Sequence, residues 1–347
     1  MQAKIEKKTK EGYTSTKPSD TDTVLQTAVD LDNLPSNLCP NKPIGQSSMP
    51  DKVLNGKDTY GQRKHNGHCL ILVCGRKKTK IYTRRMEDIT EYVKDVPVIK
   101  GWADVLPKGS FVLAEIIFFS NKYKKEMPRF VAQVIRVQDS KEAYKRYEEL
   151  SKHGQFGLVI FDALFLKNKF IGNIDYQDRR TLLIDEGFVV PNLYPNWRTM
   201  IKKAQEEHWE GFVLRVPGEK SHVSYTMDGK AARAGSWKYK FVKEGDFLVD
   251  ACEMGKSGKH AGFYAKFHVA QYDEDGNYID RGFVGCGTLT HGELVRLTTD
   301  IDSKKRKLPF VVEIEYQSIH DESGKLEFGQ IQRIRDDKTP KECIADE

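Results

Sequence analysis

The sequence of 347 residues has no apolar run longer than six residues, where a membrane-spanning helix needs roughly 20. Its most hydrophobic segment, residues 111–119 (FVLAEIIFF), is broken by Glu115. The N-terminal stretch MQAKIEKKTKEGYTSTK lacks the apolar core of a secretory signal. Cys39, Cys69, Cys74, Cys252, Cys286 and Cys343 form no Cys-x-x-Cys pair and have no His pair nearby, so neither a zinc site nor a disulfide scaffold is expected. No internal repeat, collagen period or coiled-coil composition is present. These absences leave a soluble intracellular protein with free thiols and no membrane partner. Its expected place is a cytoplasm, or a nucleus where the cell has one.

What is present is charge. Charged residues make up 31% of the chain, with 56 basic and 50 acidic side chains and a net charge of +6. That balance admits a polyanionic partner without requiring one. The length suits two domains. Residues 1–37 are polar and read as a flexible extension. Residues 38–244 carry β-like runs at 68–74 (HCLILVC), 80–83, 111–119, 130–137, 158–165 (LVIFDALF), 211–216 and 237–241, with helix-like stretches at 140–153, 176–186 and 196–207. This pattern predicts an α+β domain with mostly antiparallel sheets. Residues 245–347 show five short strands, at 247–254, 262–272, 278–285, 310–319 and 328–334. Turns lie at 273–277 and 320–325, and a polar linker holds KKRK at 304–307. A small OB-fold barrel is expected there.

The chemistry begins at Lys64-His65-Asn66-Gly67. A lysine can attack phosphorus when neighbouring cations or desolvation keep its amine neutral, and a glycine three residues on lets backbone approach phosphates. Alone, an ordinary turn lysine explains the tetrapeptide equally well. An ordered series follows it. Arg84 stands in TRR, Glu115 sits inside an apolar strand where an unpaired carboxylate is costly, and Phe161-Asp162 ends another apolar run. Residues 210–215 then read EGFVLR and 236–241 read SWKYKF, which puts Lys238 and Lys240 on one face of a strand. The chain closes with VEIEY at 312–316 and FGQIQRIRDDK at 328–338.

In this order the segments, spanning about residues 38–341, resemble the ATP-dependent DNA ligases of the covalent nucleotidyltransferase superfamily, in the small two-domain form of phages and viruses. The resemblance implies an adenylyltransferase domain of ATP-grasp-like antiparallel sheets with helices, followed by an OB-fold domain. It implies ATP and Mg²⁺ as cofactors and nicked duplex DNA as the partner of a monomer. Lys64 would be the nucleophile that forms a phosphoramidate with AMP. Phe161 would stack on adenine, and Arg84 and Glu115 would hold the ribose or the phosphate beside it. Gln62 and Arg63 would belong to the adenylate pocket, and Glu210 would bind the metal. Lys238 and Lys240 would neutralise the α-phosphate. Arg335, Asp337 and Lys338 would swing in, the two cations orienting the departing pyrophosphate. Two basic clusters would touch DNA: Arg76, Lys77, Lys78 and Lys80 at a hairpin tip, and Lys304, Lys305, Arg306 and Lys307 in the linker.

Four positions depart from the family's pattern. Asn66 stands for the usual aspartate, Cys69 for arginine, Gln62 for glutamate and Arg215 for lysine, with Arg63 or Arg85 available to supply a lost cation. Two other readings stay open: an RNA ligase or mRNA-capping-type nucleotidyltransferase, and a nick-binding homologue without catalysis.

Overall fold

The computed structural model describes residues 30–34, 38–40, 42–219, 223–225, 233–320 and 322–345. The chain divides into two compact units, Met1–Tyr239 and Lys240–Glu347. Of the expected extension 1–37, residues 1–29 and 35–37 lie outside the described residues. Residues 30–34 do not read as a tail: Leu31 is buried in an apolar cluster with Ile71, Val73 and Phe111. Among the described residues no helix is long and apolar enough to cross a membrane.

The first unit is built on two five-stranded sheets. One runs, in spatial order, Lys42–Ile44, Arg233–Lys240, Gly211–Arg215, Tyr60–Lys64 and Leu193–Tyr194. The other runs Thr79–Thr83, His68–Cys74, Ser110–Ser120, Gly154–Leu166 and Lys169–Phe170, antiparallel throughout. Strand alternation explains why the second sheet is apolar on both faces. Leu70, Leu72, Val112, Ala114 and Ile116 enter one core, while Ile71, Val73, Phe111 and Leu113 enter another. Each fully buried branched or aromatic side chain of this kind contributes about 1.5–3 kcal/mol.

Helices cover the first of these cores. Asp139 caps Ser140–Ser151 by accepting from the Glu142 N–H at 2.8 Å, and Asp175 caps Tyr176–Asp185 through the Gln177 N–H, also at 2.8 Å. The strand expected at 130–137 is instead the helix Pro128–Ile135. Pro128 suits the first turn, where its missing N–H costs nothing, and Val131, Val134 and Ile135 fall on one buried face at helical spacing.

The second unit is a closed five-stranded barrel, ordered Lys243–Met254, Tyr264–Tyr272, Tyr278–Gly285, Gln330–Ile334 and Phe310–Tyr316. Its pairs are antiparallel except Tyr278–Gly285 with Gln330–Ile334. Phe247, Val249, Phe267, Val269, Val312 and Ile314 fill the interior. The stretch expected as a plain linker contains a helix, His291–Asp302, opened by a capping box in which Thr290 and Glu293 satisfy each other's backbone. Leu294 and Leu297 of that helix join the barrel core.

Candidate active site

Lys64 ends its strand opposite Gly211 of the antiparallel neighbour. That pairing brings it to Glu210, the residue just before the neighbouring strand, and the two side chains form an ion pair. Glu210 is buried, whereas the Lys64 side chain keeps 19% of its surface. The loop that follows is held down tightly. The Gly67 N–H is donated to Glu115, and a Cβ on Gly67 would stand 2.1 Å from the Ile116 carbonyl oxygen. The room left by the missing side chain is thus taken by protein backbone.

Glu115 lies mid-strand, opposite Cys69 on one side and Val159 on the other. Burial pushes its carboxyl up to about 7. Lys64 pulls it down, Glu210 adds a like charge, and Arg84 opposes it. Lys64, Glu210, Glu115 and Arg84 therefore act on one another in one place. Cys69 feels the same surroundings: burial, and then the negative charge of Glu115, push its thiol up to about 12, so it stays neutral.

Gln62 shares the Lys64 face of the strand by the two-residue period. Both ends of its buried amide are used within the protein. Nε2 donates to the Tyr176 hydroxyl, which donates in turn to the Phe161 carbonyl at 2.8 Å, and Oε1 accepts from Arg215 Nε at 3.0 Å. Arg215 also donates to Glu219 at 2.6 Å and lies 3.5 Å over the Tyr176 ring. Asp162, beside Phe161, grips the fully buried Arg179 through two bonds of 2.8 and 3.0 Å. Phe161 itself is half-buried against the cluster that holds Ile71 and Phe111. Arg63 points to the opposite face, where it pairs with Glu126 at 2.8 Å and lies 4.9 Å over the Trp209 ring. The structure does not bring Arg63 to the Lys64 amine. Tyr176, Arg179, Glu219 and Glu126 escaped the sequence reading; only the buried capped helix of Tyr176 and Arg179 left a local signal.

Lys238 and Lys240 are half-buried on the strand next to Gly211–Arg215, alternating with the buried Trp237. In the second unit, Arg335 donates to Asp337 at 2.8 and 2.7 Å, to Asp246 at 2.9 Å and to Glu313 at 3.2 Å, and Lys338 also pairs with Asp246. The Asp337 bonds hold Arg335 above its ordinary value and Asp337 below its own. Arg76, Lys77 and Lys78 are exposed at the tip joining His68–Cys74 to Thr79–Thr83. Asp32 accepts the Arg76 and Lys77 backbone N–H groups at 3.1 and 3.3 Å, and the Asp32 carbonyl accepts from Lys80 at 3.2 Å. Lys304, Lys305 and Lys307 are exposed, while Arg306 is held by Asp336 at 2.8 Å. Among the described residues no three acidic, His or Cys side chains form a metal-holding group.

Similar curated proteins include the DNA ligases of Nanoarchaeum equitans, 27% identical over 83% of this chain and 54% of that protein, and of Methanocella arvoryzae, 24% identical over 82% and 53%. The chain spans about half the length of the curated relatives it matches. Among solved structures, a Lig E DNA ligase superposes with a TM-score of 0.59 over 86% of this chain and 99% of its own, and Pmar-Lig with 0.60 over 86% and 67%. At 14% and 15% identity, those likenesses show a shared fold. The ATP dependent DNA ligase domain family matches residues 46–240, more than half of the sequence, and the chain belongs to that family.

Proposed function

We propose that this protein is an ATP-dependent DNA ligase that seals 5′-phosphate/3′-hydroxyl nicks in duplex DNA through a lysyl-AMP intermediate. The observation that carries the reading is the group around Lys64: a partly exposed lysine paired with Glu210, both of which, with Arg84, act on the buried Glu115 carboxyl. Lys64 would attack the α-phosphorus of ATP, forming an N–P bond as the bond to pyrophosphate breaks. AMP would then pass to the 5′-phosphate of the nick, and the 3′-hydroxyl would displace it.

The residues present suit these steps. Lys238 and Lys240, on the adjoining strand, would neutralise charge on the transferring phosphate. Phe161 offers an aromatic face to adenine, and its carbonyl is fixed by Tyr176. Arg84 and Glu115 would hold the ribose or its phosphate. Glu210, a buried carboxylate beside the Lys64 amine, suits Mg²⁺, an ion that commonly takes one or two carboxylates plus substrate phosphates. Held there, Mg²⁺ would shield the α-phosphate and compete with Lys64 for the Glu210 carboxylate. The barrel unit, with its helix between the third and fourth strands, is read as an OB-fold. Its Arg335 and Lys338 would orient pyrophosphate, and the exposed lysines at 77–78 and 304–307 would meet DNA phosphates.

Incubation with α-labelled ATP should leave label on the protein through an acid-labile, base-stable bond, GTP should leave none, and substoichiometric protein should seal nicks. Label from GTP would point to a capping-type enzyme. Absence of both labelling and sealing would overturn the reading.

A further inference from the structure

Glu126 stands in the link between the strand Ser110–Ser120 and the helix Pro128–Ile135, anchored by an antiparallel bridge to Phe119. The residue is 5% exposed, and its carboxylate reaches across to the Lys64 segment. Oε1 accepts from Arg63 Nη2 at 2.8 Å and lies 2.6 Å from His65 Nδ1; Oε2 accepts the Asn66 backbone N–H at 2.6 Å. Three of the four residues 63–66 thus hang on one acid. The fourth, Lys64, points to the other face and pairs with Glu210. Arg63 in turn lies over Trp209, the neighbour of Glu210, so the same contacts tie the segment carrying the lysine to the segment carrying its partner. Although burial alone would raise it, the bonds from His65, Arg63 and Asn66 hold Glu126 below its ordinary value.

Satisfying Arg63 alone would need one bond. The observed acid also fixes a backbone N–H two residues beyond the lysine, which is what setting the path of a loop requires. We propose that Glu126 is the positioning residue of the Lys64 segment: it holds the Arg63 side chain before the lysine and the Asn66 backbone after it, and with them the direction in which the amine meets the α-phosphorus. The inference rests on Lys64 as the nucleophile. Misplacing a reacting group by 1 Å costs on the order of 10²-fold in rate, which sets the scale of the effect.

The test uses the full chain with Glu126→Gln, which keeps the shape and one acceptor, and Glu126→Ala. Three readouts are needed: single-turnover label transfer from ATP, sealing of a pre-adenylated nick, and hydrogen exchange at the Asn66 amide. Label transfer should slow about tenfold in Glu126→Gln and about 100-fold in Glu126→Ala, while the ATP concentration for half-maximal rate stays within about threefold. Sealing of the pre-adenylated nick should stay within about threefold, and Asn66 should exchange at least about tenfold faster in Glu126→Ala. Wild-type labelling rates in both variants, or unchanged Asn66 exchange, would overturn the proposal. So would equal losses in both reactions, which mean that the acid supports the fold alone. A Lys64→Ala protein that still takes label would sink the nucleophile reading instead, and Asn66 exchange would still report on the Glu126 contact.

Discussion

Replacing Glu115 by glutamine should stabilise the first unit at alkaline pH and leave it almost unchanged in mild acid. Burial sets the folded carboxyl at about 7 against an ordinary 4.5. A group raised in this way favours folding while it is protonated, and that advantage is lost as pH rises through about 7. The difference corresponds to about 3 kcal/mol at pH 8, with less than about 1 kcal/mol remaining at pH 5. Glutamine keeps the shape and carries no charge at either pH, so the variant should gain about 3 kcal/mol at pH 8 only. All four tryptophans, Trp102, Trp197, Trp209 and Trp237, lie in the first unit. Their fluorescence in urea therefore follows that unit, and the midpoint at a constant slope gives the stability difference. The same variant should label more slowly with ATP, because a destabilising acid is retained for what it binds. A midpoint difference independent of pH, or a loss of stability at pH 8, would refute the reasoning.

Arg179→Met should destabilise the first unit by about 3–5 kcal/mol, because it leaves the Asp162 carboxylate buried without its doubly bonded partner; a urea midpoint within about 0.5 kcal/mol of wild type would count against a structural role for the pair. Lys338→Ala should impair labelling by ATP and spare sealing of a pre-adenylated nick; equal damage to both would mean that its pair with Asp246 is what matters. Gln62→Glu restores the family's residue, yet it should cost about 1–3 kcal/mol by the same urea assay, since it removes the amide that donates to Tyr176 and makes two buried carboxylates share Arg215.

How far the molecule can be read from its sequence depends on whether the cause is local. The strand His68–Cys74 is legible because its apolar run is short and carries the β-branched Ile71 and Val73, and the structure sends Leu70 and Leu72 to one core and Ile71 and Val73 to the other. Residues 130–137 mislead because FVAQVI satisfies both periods, and it is Pro128 at the first helical position that decides. The helix His291–Asp302 was readable from Thr290-x-x-Glu293, a capping box hidden in a polar stretch. Lys64, Glu115, Phe161 and Glu210 are legible through the order of motifs. Glu126 and Glu219 are not, since each sits in a link without periodicity and its partners come from other strands.

The departures from the family's pattern are not scattered accidents once they are placed in space. Gln62 and Arg215 lie on paired strands and touch at 3.0 Å. Around Tyr176 the buried charges balance, Arg215 and Arg179 against Glu219 and Asp162. A glutamate at 62 would upset that balance, and a lysine at 215 would lose the planar fork that reaches Gln62 and Glu219 together. Glutamine at 62 is therefore the residue that arginine at 215 calls for, and the two departures amount to one. Asn66 is held through its backbone, whose N–H is donated to Glu126 at 2.6 Å. Cys69 works in the other direction. It faces Glu115 across the sheet as a neutral thiol, whereas an arginine there would draw that carboxyl down. Burial thus remains the largest influence on Glu115 and pushes its carboxyl up to about 7.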